Sequence, residues 1–377
     1  MIKILFVANK TDIFSGGEIS LLELLSRLDT SRFYPIVLCP GEGELAEKAR
    51  SMDLSVHIVN ITTARTADIK RLIRTAQQIR SIIRKYDVDI VHTNGNRAQF
   101  YASLAARRTQ ARLLWHVRES ARDLLLYDWF LARSAHKIVC VSMSVKKIRF
   151  SRFPWFRPKI DVIFNGVDTR KFARDLRARK AIREELRIGE TDIFLGIIGL
   201  LVPLKGHLLL FEAVRLVKET HPDIKLLVLG KTVDELYATR LKDMVEKLGI
   251  RENVIFSNPR DDINAILSAL DIFILPSQRE GFSRILLEAM ACSLPIIATD
   301  VSGNSEAIVE RESGLLVPFG EAKQLAKAIE HFITNTENSR LMGEYARKRV
   351  EELFSIESHV SRIEELYCEM KRSMPHT

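Results

Sequence analysis

Short apolar runs rich in Val, Ile and Leu recur along the sequence, and stretches of helical period separate them. In the first half the runs fall at 2–8, 35–39, 56–59, 90–92, 113–117, 137–141 and 161–163. They are continuous and do not alternate apolar with polar. Strands of that kind are buried on both faces, which indicates a parallel sheet covered by helices. Between the runs, 68–86 sets Leu72, Ile73, Ala76, Ile79, Ile82 and Ile83 three and four apart, the period of an amphipathic helix.

The pattern breaks once. Asn165-Gly166-Val167-Asp168 is a turn signal, and a charged stretch follows it as far as Leu186. A second series then begins, with runs at 193–198, 224–229, 254–256, 272–275 and 296–298. With 377 residues, and about 150 residues in an average domain, two domains are expected. The expectation is α/β throughout: two doubly wound, Rossmann-like domains, 1–170 and 191–355, with a linker region at 171–190. Residues 356–377 carry a closing helix whose apolar side (Ile356, Val360, Ile363, Leu366, Tyr367) packs back on the first domain. Ligands of such sheets bind beyond the carboxyl ends of the strands, so a central cleft between two facing domains is the expected site.

Charge narrows the partners. The chain carries a net +9, yet 97–187 alone holds 22 Lys and Arg against 8 Asp and Glu, so the remainder sums to −5. Within that block, 146–159 interleaves Lys146, Lys147, Arg149, Arg152, Arg157 and Lys159 with Phe150, Phe153, Trp155 and Phe156. Cations beside aromatics suit an anionic membrane surface; a solvated basic face with its aromatics in the core is the competing reading. No nucleic-acid module accompanies the local excess, so no nucleic acid is expected as partner. The cysteines (Cys39, Cys140, Cys292, Cys368) form no C-x-x-C pair, which fits a reducing compartment and neither a disulfide framework nor a zinc site. The apolar start is too short for a signal peptide, and no run approaches the roughly 18 residues of a membrane span. A cytoplasmic protein, peripheral on the cytoplasmic face of a membrane, is expected.

Two glycine motifs carry little. Gly41-Glu42-Gly43-Glu44-Leu45-Ala46 has dinucleotide-fingerprint spacing but follows the second strand, and Asn60, not an acid, closes the next. Gly230-Lys231-Thr232 ends like a phosphate loop, but Lys225 stands where its first glycine is required. His57, His207 and His221 lack metal-ligand spacing and read as surface or packing residues.

The informative stretch runs from Leu275 through Pro276-Ser277-Gln278-Arg279-Glu280-Gly281-Phe282-Ser283-Arg284 to Glu288 and Ala291. It reads as a strand end, a glycine turn and a helix with Ser283 as N-cap, whose first amides and positive dipole end suit a pyrophosphate. Glu280 precedes the helix and Glu288 lies more than a turn inside it, so the two sit at different depths of one pocket. A lone E-x7-E arises often by chance, and two unrelated carboxylates remain the simpler reading of the spacing alone.

The context resembles the retaining glycosyltransferases of GT-B fold, specifically the nucleotide-sugar transferases of family four. Ser15-Gly16-Gly17-Glu18 resembles that family's N-terminal glycine loop, and Asn165-Gly166-Val167-Asp168 its interdomain turn. Gly199-Leu200-Leu201-Val202-Pro203-Leu204-Lys205-Gly206 is similar to its phosphate turn. Leu294-Pro295-Ile296-Ile297-Ala298-Thr299-Asp300 with Gly303-Asn304-Ser305-Glu306, and Gly314-Leu315-Leu316-Val317-Pro318, resemble the segments after the E-x7-E helix. The resemblance implies catalytic roles for Lys205, Glu280 and His116. It implies donor binding by Gly16, Gly17, Lys205, Arg260, Glu280, Gly281, Phe282, Ser283, Arg284 and Glu288. It further implies transfer from a UDP- or GDP-sugar to a glycan or lipid-linked acceptor hydroxyl with retained configuration, in surface polysaccharide, lipopolysaccharide or glycolipid assembly. No cofactor or metal is implied, since Lys205 and helix amides would meet the diphosphate charge.

One position departs from the family. Leu200 stands where an arginine is usual, which removes a second phosphate cation; Arg279 and Arg284 are candidate substitutes. A nucleotide-sugar epimerase of the same fold, or a weakened nucleotide-binding subunit, are the alternatives left open.

Overall fold

The computed structural model describes residues 1–13, 16–62 and 68–374. The chain divides into two units, 1–165 with 357–377, and 166–356.

The first unit runs β1 (Ile2–Val7), α1 (Gly16–Arg27), β2 (Phe33–Cys39), α2 (Glu44–Arg50), β3 (Ser55–Ile58), α3 (Ile69–Tyr86), β4 (Ile90–Asn94), α4 (Asn96–Ala105), β5 (Arg112–Val117), α5 (Leu125–Ser134), β6 (Lys137–Cys140), α6 (Met143–Phe150) and β7 (Ile160–Val162). Its seven strands lie in the order β3-β2-β1-β4-β5-β6-β7, all parallel. The order reverses between β1 and β4. The apolar runs bury as their composition demands: Leu5, Val7, Ile36, Leu38 and Val91 meet Ile79, Ile83 and Tyr101 in one core. Asp68 caps α3 by accepting from the Lys70 amide, and Asp87 ends the helix at φ 51.

The second unit runs α7 (Leu176–Glu185), β8 (Ile193–Ile198), α8 (His207–Lys218), β9 (Ile224–Leu229), α9 (Glu235–Lys247), β10 (Val254–Ser257), α10 (Ile263–Ala269), β11 (Ile272–Leu275), α11 (Arg284–Ala291), β12 (Ile296–Thr299), α12 (Asn304–Ala307), β13 (Leu315–Val317), α13 (Ala322–Thr334) and α14 (Thr336–Leu353). Six parallel strands take the order β10-β9-β8-β11-β12-β13, with the reversal between β8 and β11.

The region expected as a linker is itself folded. Asp175 caps α7, and two cations of this stretch turn into the unit: Arg179 and Arg183 both bind Asp271, just before β11. The last helix, α15 (Ile356–Arg372), buries Val360, Ile363, Leu366 and Tyr367 and is grouped with the first unit. Its Glu364 accepts from the Asp29 amide, and its His359 ring bonds the Phe164 carbonyl at 2.7 Å.

The stretch 146–159 divides its cations and aromatics between core and surface, with Lys147, Arg152 and Arg157 exposed. Phe150, Phe153 and Phe156 belong to the core, and Arg149 is buried against Asp128 at 2.5 Å. Of the four aromatics only Trp155 is exposed. The 3.6-residue period explains this: it turns one side of α6 inward, and the following turn folds its aromatics beneath it. No helix among the described residues is long and apolar enough to cross a membrane.

Candidate active site

In a doubly wound sheet, the loops leaving the two strands at the reversal point diverge and leave a crevice. In the second unit those loops are 199–206 after β8 and 276–283 after β11. Their contact is tight. Gly206 sits at φ 75, and a Cβ there would lie 1.9 Å from the Pro276 carbonyl oxygen. The Gln278 amide donates to the Leu204 carbonyl at 2.8 Å. That clamp brings the side chains together: Lys205 Nζ lies 2.6 Å from Glu280 Oε1, and the Ser277 hydroxyl donates to the same oxygen at 2.7 Å. Glu280 and Lys205 keep 11% and 22% of their side-chain surface, so the pair faces solvent while its base is buried.

Beneath the pair runs a polar support. Ser277, Thr299 and Asn304 are fully buried. Thr299 donates to the Ser277 carbonyl at 2.5 Å, and Asn304 donates to the Thr299 carbonyl at 3.1 Å. Loop 276–283 is thus tied to β12, and Gly303 lets 300–303 approach the Gly281 carbonyl where no Cβ could fit.

The helix start differs in detail from expectation. Ser283 is the N-cap residue of α11, but its side chain makes no capping hydrogen bond. Phe282 is buried, edge-on to Phe354 at 5.2 Å, so its ring serves packing. Arg284 is no spare cation for the missing one at Leu200: it is buried and holds Glu288 one turn on, at 2.7 Å. Arg279 is exposed beside Glu280. Arg260 follows β10, two strands from β8. Asp262 and Glu185 grip its guanidinium, which raises its pKa and holds both carboxyls below the usual range.

The first unit has its own polar cluster at the carboxyl ends of β4 and β5, beside its reversal point. His116 is fully buried. Its Nδ1 lies 3.1 Å from His92 Nε2 and 3.4 Å from an Arg118 amino group. His92 Nδ1 meets the Tyr367 hydroxyl of α15 at 2.6 Å. Arginine only donates, so His116 Nδ1 accepts; its proton is then on Nε2, a buried atom with no protein partner. The same logic makes His92 donate through Nε2 and accept from Tyr367. Burial, and then Arg118, holds the His116 pKa far below that of a free imidazole; burial lowers His92 to about 3. Both rings are therefore neutral at physiological pH. Arg118 also donates to Asn94 at 2.6 Å and to Asn165 at 2.9 Å.

Gly16 and Gly17 open α1, with the Gly17 carbonyl accepting from Asn94 at 3.2 Å. Ser15 of that motif lies outside the described residues. Sequence reasoning had passed over Asn94, Arg118 and His92 as site residues, and had read Tyr367 only as part of the apolar side of the last helix. The available signal was His92-Thr93-Asn94, a polar run ending a strand that is otherwise apolar.

Comparison with known proteins agrees with this geometry. Residues 178–349 match the family "Glycosyl transferases group 1", and 14–171 match "Glycosyltransferase Family 4". The UDP-Gal:alpha-D-GlcNAc-diphosphoundecaprenol alpha-1,3-galactosyltransferase of Escherichia coli is 25% identical over 376 residues, 95% of each chain. The putative glycosyltransferase EpsD of Bacillus subtilis is 30% identical, over 72% of this chain and 74% of that one. Among solved structures, Anabaena Alr3699/HepE in complex with UDP superposes with a TM-score of 0.87 at 19% identity, covering 98% of this chain and 100% of that one. With two parallel sheets and both halves matched, the chain belongs to the group 1, family 4 glycosyltransferases of GT-B fold.

Proposed function

We propose that the protein is a retaining glycosyltransferase that moves a sugar from a UDP- or GDP-sugar to a hydroxyl of a glycan or lipid-linked acceptor, in polysaccharide or glycolipid assembly. The observation that carries the reading is the Lys205–Glu280–Ser277 cluster at the reversal point of the second sheet. The names of relatives support it: one specifies UDP-Gal and a diphosphoundecaprenol-linked acceptor, another capsular polysaccharide biosynthesis.

In the proposed reaction the bond from the anomeric carbon to the diphosphate breaks as the acceptor oxygen bonds to that carbon on the same face. The acceptor proton ends on the departing nucleoside diphosphate. Charge grows on the diphosphate, and in this reading Lys205, with the first amides of α11, stabilises it without a metal. Glu280 accepts sugar hydroxyls, and the Nε2–H of His116, buried in this structure, becomes a neutral donor to a sugar oxygen once that atom is uncovered. The protein acts at the cytoplasmic face of a membrane, where a lipid-linked acceptor is found.

The test is a thermal-shift panel of UDP, GDP and their sugars, followed by NMR assignment of the product anomer in the presence of EDTA. UDP or GDP should raise the melting temperature, and Lys205→Ala should abolish the rise. Lack of response to every nucleoside diphosphate overturns the reading. An isomerised sugar from UDP-GlcNAc without acceptor points to an epimerase.

A further inference from the structure

At the amino ends of β5, β6 and β7, the ends opposite to His116, lies a cavity of about 790 Å³. Arg112 begins β5 there, and His136 and Lys159 directly precede β6 and β7. With Arg107 and Arg133 they line it, and no Asp or Glu is among the lining residues. The acids of neighbouring elements are already matched, Asp128 by Arg149 and both Asp161 and Glu369 by Lys137. The cations press on one another. Burial and Arg133 push the Lys159 pKa down to about 8, and burial, Arg112 and Lys159 lower that of His136. An anion entering the cavity would relieve both.

Phe130 lines this cavity and also a second, apolar hollow with Phe100, Leu104 and Tyr127. Its rim exposes three consecutive leucines, Leu124 at 69%, Leu125 at 50% and Leu126 at 80%, and Trp129 stands on the cationic side at 41%. Three exposed leucines in a row, beside a tryptophan, are a surface that water does not favour.

We infer that this face docks on an anionic phospholipid bilayer, with lipid phosphates against Arg107, Arg112 and Arg133 and the 124–129 ridge in the acyl boundary. Charge complementarity selects this occupant. A second copy seated face to face would set cation against cation, whereas an anionic leaflet supplies phosphates beside an apolar layer, in the order this face requires. The inference deepens the reading of a membrane-located acceptor, and it moves the contact from 146–159 to α5 and its neighbours.

Sedimentation of the full chain with phosphatidylglycerol/phosphatidylcholine vesicles, and with phosphatidylcholine vesicles alone, tests it. The wild-type chain should pellet with the anionic vesicles only. Each cation lost should lower partition about fivefold, so Arg107→Gln with Arg133→Gln should cost about 25-fold. Leu124→Ser with Leu126→Ser should cost about tenfold or more. Both variants should keep the thermal shift with UDP. Equal binding to neutral vesicles, undiminished binding by the charge variant, or a dimer that the leucine variant dissociates each overturns the docking face. A wild-type chain that ignores vesicles yet responds to UDP overturns the docking face and leaves the transferase reading standing. Binding to vesicles without any response to nucleotide does the reverse.

Discussion

Arg284 and Glu288 are joined across one turn of α11 by a 2.7 Å ion pair that is almost wholly buried. Replacing Glu288 by alanine therefore does two things at once: it removes a candidate ribose acceptor and strips a buried guanidinium of its carboxylate. Breaking such a pair costs about 3 kcal/mol or more. Replacing both residues by methionine removes the charges together and should return most of that stability. The expected pattern is a low melting temperature for Glu288→Ala and a near-normal one for the double variant. If Glu288 binds the nucleotide, UDP affinity stays at least about tenfold down in both. Normal UDP affinity in the double variant would assign Glu288 to the scaffold alone.

Lys205 shares Glu280 Oε1 with Ser277. The lysine is partly exposed, so Lys205→Met should leave folding almost intact while kcat falls about 100-fold or more, the scale of losing one charge-stabilising donor. Ser277→Ala keeps the cation but frees the carboxylate to turn, and a smaller loss, about tenfold, is expected. Steady-state rates with one donor, beside melting temperatures for each variant, separate chemistry from stability. A Lys205→Met enzyme with wild-type kcat would remove the lysine from the mechanism.

The fold was legible because burial on both faces writes itself into composition: every strand expected from an apolar run exists within a few residues. The pairing of Lys205 with Glu280 was only half legible. Each was marked by its motif, but their meeting depends on Gly206 and on the hydrogen bond from Gln278 to Leu204, contacts between segments 70 residues apart. The directions of Arg284 and Phe282 were not legible for one reason: the spacing shows that a side chain lies near a helix start, not which way it turns. The basic block was legible only as a total, because charge counts do not tell Arg149, buried on Asp128, from Arg107, exposed at a cavity. The His92–Tyr367 bond joins residues 275 apart and left no local trace.

Gly206 offers a direct check on the clamp. At φ 75 with the Pro276 oxygen 1.9 Å from an added Cβ, alanine cannot enter without parting the two loops. Gly206→Ala should lower stability by about 3 kcal/mol, combining backbone strain with displacement, and should disable Lys205 as well. Urea unfolding and activity together measure it; a stable, active Gly206→Ala protein would show that the loops need not touch.

Stability should also depend on pH in a defined direction. His92, His116 and His207 are buried, with pKa values lowered to about 3, far below normal and to about 4 respectively, in each case first by burial. Below pH about 6.5 the unfolded chain binds protons that the folded one refuses. Stability is therefore full above that pH and falls as pH drops toward the folded-state values, by about 1.4 kcal/mol per pH unit for each ring. Urea midpoints at pH 7, 6 and 5 should decline steadily; a flat profile would mean that the rings are hydrated or protonated in the native state.

The direction of the His92–His116 chain can be read by NMR. Because Arg118 can only donate to His116 Nδ1, both imidazoles must carry their proton on Nε2, with Tyr367 donating to His92 Nδ1. Nitrogen-15 shifts of the two rings at pH 7 should show protonated Nε2 and bare Nδ1 in each. Tyr367→Phe leaves His92 Nδ1 buried without its donor, which should destabilise the first unit by about 1–3 kcal/mol and let His92 take the other tautomer. His116 would then lose the proton that His92 shares with it, although Arg118 remains. If Tyr367 acts on the reaction through this chain, kcat should fall in Tyr367→Phe while the melting-temperature rise with UDP proposed above is unchanged. Protonated Nδ1 on His116 in the wild-type protein would break the argument at its first step, because the Nε2 aimed away from the chain would then be an acceptor and could not donate to a sugar oxygen.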